Sequence, residues 1–93
     1  MGYRVRFKEK ALGTLDALYA YILERDKGAA RTVIERLHAF FVHLSIFPHL
    51  GRPTDKEGVY RFPVGKTGMV VFYTFDKQEI TIIRIIHARQ LVD

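Results

Sequence analysis

At 93 residues, 48% hydrophobic and 27% charged, the chain is long enough for one globular domain spanning 1–93, too short for a second core and too apolar for disorder. The absence of cysteine excludes disulfides and thiolate metal sites and favours an intracellular, cytoplasmic protein, and no apolar run nears the ~20 residues needed to cross a bilayer. A formal net charge of +5 points to acidic partners, nucleic acid or an acidic protein segment, without choosing between them.

Tyr3-Arg4-Val5-Arg6-Phe7 alternates apolar and basic residues, the period of a half-buried strand. Arg4 and Arg6 then share an outer face, where they either guard an edge strand against pairing with other chains or extend a basic surface. Met1-Gly2 is not a myristoylation start, since Arg6 stands where Ser or Thr is expected.

Leu12, Leu15, Leu18, Tyr19, Ile22 and Leu23 fall at helical spacing and predict an amphipathic helix over about residues 9–24. Gly13 weakens its first turn, so Thr14 is an alternative start. Asp26-Lys27-Gly28 breaks the pattern, with Asp26 a candidate cap for the next helix and Gly28 available for positive φ. Ala30, Val33, Ile34, Leu37, Phe40, Phe41 and Leu44 then mark a second helix to about residue 46, and the short connection implies an antiparallel hairpin. His38 and His43 lie five apart, whereas metal pairs on one helix face sit three or four apart, so no metal site is expected.

Phe47-Pro48-His49-Leu50-Gly51-Arg52-Pro53 ends the helix in a defined loop. Arg52 either caps the carbonyls at the end of the second helix or reaches a partner. Val59–Val64 reads as a short strand that Pro63 confines to an edge, and Gly65-Lys66-Thr67-Gly68 as a turn. Gly-Lys-Thr is not a phosphate loop here, because Tyr60 occupies the place of the first glycine and no helix pattern follows. Met69–Phe75 is the next strand, Asp76–Glu79 a polar turn, and 80–89 the last strand, with five isoleucines around Arg84 and an end at His87 and Arg89.

The predicted architecture is α+β: an N-terminal strand, an antiparallel two-helix hairpin and a three-stranded antiparallel meander, with the helices packed on one face of the sheet. One hairpin covers one face. Both sets of alternating residues in 69–75 and 80–87 are nonetheless largely apolar. Strict alternation groups Ile80, Ile82, Arg84 and Ile86 against Thr81, Ile83, Ile85 and His87. The second face is therefore expected to carry an apolar patch around Arg84 for another chain, unless the sheet curls to bury both sides.

The element order, the Pro48–Pro53 loop, the Val59–Gly65 strand, Val70-Val71-Phe72-Tyr73 and Ile83-Arg84-Ile85-Ile86-His87-Ala88-Arg89 together resemble the RelE/ParE toxins of bacterial type II toxin–antitoxin systems. The likeness is greatest to the ParE branch, whose Pro-x-x-Gly-Arg loop is met by Pro48, Gly51 and Arg52, and whose Arg-Val-Leu-His-x-x-Arg strand is matched at Arg84 and His87. Arg89 stands one position early, and Gln90 occupies the place where the family often has its second arginine or an aspartate.

That resemblance implies a growth-inhibiting toxin that binds DNA gyrase without enzymatic chemistry and is neutralised by a ParD-like or RelB-like antitoxin. Arg61, Arg84, His87 and Arg89 are the expected target surface, and Phe72, Ile82 and Ile86 the expected antitoxin seat. No cofactor is expected. The RelE alternative, a ribosome-dependent mRNA endonuclease, would use His87 for proton transfer and Arg61, Arg84 and Arg89 to stabilise phosphate charge. Against it, Gly68-Met69 puts no cation just before the middle strand. A third reading is an inactive family member serving only as an interaction module.

Overall fold

A computed structural model describes residues 2–87. β1 (Arg4–Phe7) leads into α1 (Glu9–Arg25) and α2 (Lys27–Ile46), and a 3₁₀ turn at Pro48–Leu50 is followed by β2 (Arg52–Pro53), β3 (Tyr60–Val64), β4 (Met69–Phe75) and β5 (Glu79–His87). The strands form one sheet in the order β1-β5-β4-β3-β2, with β1 parallel to β5 and all other pairs antiparallel. This is the expected α+β arrangement, with the two-residue β2 added at the far edge.

A single residue joins the helices. The Asp26 carboxylate accepts the N–H groups of Gly28 and Ala29 at 2.9 and 3.1 Å, while its own N–H donates to the Ile22 carbonyl. Both helix ends are thereby satisfied at one position, and α2 begins at Lys27 with Gly28 in helical conformation. The positive φ expected of Gly28 is not needed, because the Asp26 cap makes the turn in extended geometry. Gly13 also stays helical inside α1, exposed and free of contacts that would penalise it.

The core lies between the helices and one face of the sheet. Ala11 and Leu15 of α1 and Val33, Leu37, Phe40 and Leu44 of α2 pack on Met69, Val71, Tyr73, Ile80, Ile82 and Ile85. At its edges Phe40 stacks on Phe62 at 4.7 Å and Phe7 meets Phe41 edge-on at 5.0 Å, so aromatic rings seal the gap where the hairpin overhangs the outer strands.

β5 does not alternate strictly. Ile82 faces Tyr73 and Arg84 faces Phe72, leaving Ile83 as an extra residue between two consecutive partners. Such a bulge reverses the parity of everything beyond it. Ile80, Ile82 and Ile85 therefore all point into the core, and Thr81, Ile83, Arg84 and Ile86 point away. This corrects the assignment of Ile82 to the partner-facing patch: it is completely buried, and Ile83 takes its place on the outer side.

Candidate binding face of the sheet

The face of the sheet turned away from the helices is uncovered among the described residues. Its registers line up side chains from four strands: Arg52 of β2 opposes Arg61 of β3, Arg61 opposes Phe72 of β4, and Phe72 opposes Arg84 of β5. At ~4.8 Å per strand, Arg52 and Arg61 stand side by side and Arg84 lies ~10 Å from Arg61 with the Phe72 ring between them. The next row is apolar, Pro63, Val70 and Ile86. On the far side Arg4 and Arg6 of β1 continue the same face beside Glu79 and Thr81.

No carboxylate forms an ion pair with the row among the described residues. Like charges directly opposite on paired strands disfavour the sheet. Yet the ion pair found among the described residues is elsewhere, a long and exposed Arg6–Glu79 contact at 3.9 Å. Arg52, Arg61 and Arg84 are all exposed. A shallow cleft of about 450 Å³ runs beside Arg84, lined by Phe72, Ile83, Ile86, Val59, Asp55 and Lys56, and a second of about 480 Å³ lies by Arg52 and Arg61 over Pro63 and Val70. The face thus alternates guanidinium groups with apolar hollows.

The loop carrying Arg52 is pinned from inside. The Tyr73 side chain, fully buried, reaches under it so that its hydroxyl accepts the Gly51 N–H at 2.7 Å and donates to the Pro48 carbonyl at 2.8 Å. A Cβ on Gly51 would lie 2.6 Å from that hydroxyl and 2.8 Å from the Arg61 carbonyl, so glycine is the residue that fits. Burial pushes the Tyr73 phenol above its usual 10.0, against the opposing effect of the Gly51 bond. Arg52 is thereby placed on β2, not at the end of α2, where the Phe47 N–H instead closes the last turn on the His43 carbonyl.

The predicted target residues divide. Arg61 and Arg84 share the open face on either side of Phe72, whereas His87 pairs with Met69 on the opposite parity, its imidazole against the Gly68 turn. Arg89 lies outside the described residues. Of the groups the ribonuclease alternative would use, Arg61 and Arg84 thus share one face of the sheet, and His87 stands at the opposite parity. Of the expected antitoxin seat, Phe72 and Ile86 lie half-buried in the Arg84 cleft.

The partnership of Arg52 with Arg61 leaves no mark in the sequence, because a two-residue strand has no periodicity. Lys56 and Ile83 likewise carry no sequence signal as cleft residues. The Pro-x-x-Gly-Arg spacing was the available signal for Arg52, since it fixes the arginine directly after the glycine that Tyr73 grips.

Residues 5–92 match the family model of the ParE toxin of the type II toxin–antitoxin system, parDE. This chain belongs to the ParE toxin family. A Sinorhizobium fredii protein named "Putative toxin Y4kP" is 28% identical over 87 residues, covering 94% of this chain and 90% of its relative. Among solved structures, the chromosomal ParDE system of P. aeruginosa superimposes with a TM-score of 0.78 at 20% identity, covering 91% of this chain and 95% of that one. The YoeB dimer of Staphylococcus aureus gives 0.51 at 18% identity, over 90% and 94% of the two chains, and the E. coli DinJ-YafQ toxin-antitoxin complex gives 0.52 at 12%, over the full length of both. These likenesses show a shared fold, and the family match makes the chain a toxin of the type II class. No helix among the described residues is long and apolar enough to cross a membrane.

Proposed function

We propose that this ParE-family toxin acts in the cytoplasm as a single domain, inhibiting DNA gyrase by binding it through the open face of its sheet. Arg61 and Arg84 are the principal contacts. A cognate antitoxin, ParD-like by family, neutralises the toxin by occupying the same face, its apolar residues seated on Phe72, Ile83 and Ile86. Overlap of the two sites makes target and antitoxin compete.

The observation that carries this reading is the cross-strand row of Arg61, Phe72 and Arg84, exposed and with no carboxylate paired to either arginine among the described residues. A sheet face that leaves adjacent cations uncompensated is built for an external acidic surface. The position of His87 on the opposite side favours binding over RNA cleavage, since a general acid or base must lie within hydrogen-bond reach of the reacting group.

Induced expression in a bacterial host, with and without the antitoxin gene, tests the reading. Growth arrest accompanied first by the DNA-damage response, with transcripts intact, is the expected result. Cleaved transcripts with undamaged DNA would replace it with the ribonuclease reading, and no growth effect in either background would leave an interaction module.

A further inference from the structure

Residues 37–51 contain no Lys, Arg, Asp or Glu, the longest such run in a chain that is 27% charged, and Arg36 and Arg52 stand at its two ends. The run covers the second half of α2 and the 3₁₀ turn that follows it. A charge-free run is ordinary where it is buried. Here Val42, Ile46, Phe47 and Leu50 are all exposed, Ile46 at 52% and Phe47 at 58%. Val42 and Ile46 lie one turn apart on α2, Phe47 follows directly and Leu50 ends the next turn, so the four are neighbours in one patch.

The backbone holds this patch in place. The Phe47 N–H donates to the His43 carbonyl at 2.8 Å, the Phe47 carbonyl accepts the Leu50 N–H at 3.2 Å, and the His49 ring stands edge-on to Phe75 at 4.9 Å. Phe47 therefore sits on fixed backbone, which lowers the ordering cost of any contact it makes. Since α2 packs on the side of the sheet opposite Arg61, Phe72 and Arg84, the patch is separate from the open face, and of its four residues only Leu50 reaches the hollow beside Arg52.

Charge decides what fits there. An acidic partner gains nothing from a surface without cations, and at a net charge of +5 two copies of this chain repel wherever their basic faces meet. In a two-fold contact each copy offers the same patch to the other, so a charged patch opposes itself and a neutral, apolar one does not. We infer that the end of α2 is the contact of a homodimer, with Ile46 and Phe47 of each copy at its centre and Val42 and Leu50 around them. The four residues expose roughly 400 Å² per copy, about half of what a standard interface takes from each partner, so with His43 and His49 at the rim the dimer is of the small, reversible kind. Both open faces stay free in it, and the inference does not rest on the gyrase reading.

The test is sedimentation equilibrium of the full chain at neutral pH over about 1–500 μM. A monomer–dimer equilibrium with a Kd of about 1–100 μM is expected, the strength of a small interface. Phe47→Arg places like charges at the centre of the contact and should weaken the dimer by at least about 30-fold, as loss of an anchor residue does. Ile46→Arg should do the same, and circular dichroism checks that both variants are folded. Leu23→Arg, at a comparably exposed leucine of α1, should change nothing. Raising the salt should tighten the dimer, because it screens the repulsion between two chains of charge +5. A monomer at every concentration, a dimer that survives both arginine variants, or a dimer that salt dissociates would each overturn the inference. So would a monomeric toxin whose Phe47→Arg variant loses antitoxin binding, which would give the patch to the antitoxin.

Discussion

The Tyr73 hydroxyl accepts the backbone N–H of Gly51 at 2.7 Å across 22 residues of chain. With the bond it donates to the Pro48 carbonyl, this contact ties the middle of the sheet to the loop that delivers Arg52. Both partners are buried, so neither has water to fall back on.

Tyr73→Phe leaves the ring in the core and strands the Gly51 N–H and the Pro48 carbonyl. A loss of about 1–3 kcal/mol is expected from denaturant unfolding. Gly51→Ala drives a methyl group into the hydroxyl and the Arg61 carbonyl, and should cost about as much through overpacking. Since the two changes damage one contact, the double variant should lose less than the sum.

The same tyrosine predicts a stability change in alkali. Its folded pKa is raised by burial above the ordinary 10.0, so the folded state holds the proton more tightly than the unfolded chain. The associated stability is fully present below pH about 10 and is lost as pH rises through the folded value. Unfolding midpoints measured across that range should fall more steeply for the wild type than for Tyr73→Phe.

Asp76 behaves oppositely. The N–H groups of Gln78 and Glu79 both donate to its Oδ1 at 2.8 Å and hold its carboxyl below the usual 3.8. A depressed folded pKa contributes stability above the unfolded value that disappears as pH falls through the folded one. Acid should therefore loosen the β4–β5 turn, seen as faster amide exchange at Gln78 and Glu79, and Asp76→Asn should remove that acid dependence.

Ile82 and Ile86, four residues apart, should respond differently to alanine. Ile82 is completely buried beneath the helices, and its truncation should cost about 2–5 kcal/mol of stability. Ile86 lines the open cleft, so its truncation should cost less stability and weaken antitoxin binding. Chemical unfolding and calorimetric titration with the antitoxin separate the two effects.

The helical hairpin was legible in the sequence because its apolar stripe is long and Asp26 is a residue type that caps. The strands of the meander were legible from β-branched density. Which side of β5 faces the core was not, because that depends on the bulge at Ile83, and a single extra residue in a run of isoleucines leaves no mark in the apolar pattern. Strict alternation placed Ile82 and Arg84 together, while the fold sets them on opposite sides. Arg84 and Phe72 were found as surface residues from the chain alone. Their alignment with Arg61 and Arg52 needed the register, which is fixed by turns and by the Tyr73 anchor.

The most direct measurement is DNA supercoiling by purified gyrase in the presence of the toxin and of Arg61→Ala/Arg84→Ala, both confirmed folded by circular dichroism. The wild type should inhibit supercoiling, with added antitoxin restoring it, and the double variant should lose most of the inhibition. Undiminished inhibition by the double variant, or unaffected gyrase alongside cleavage of ribosome-bound mRNA by the wild type, would contradict the account.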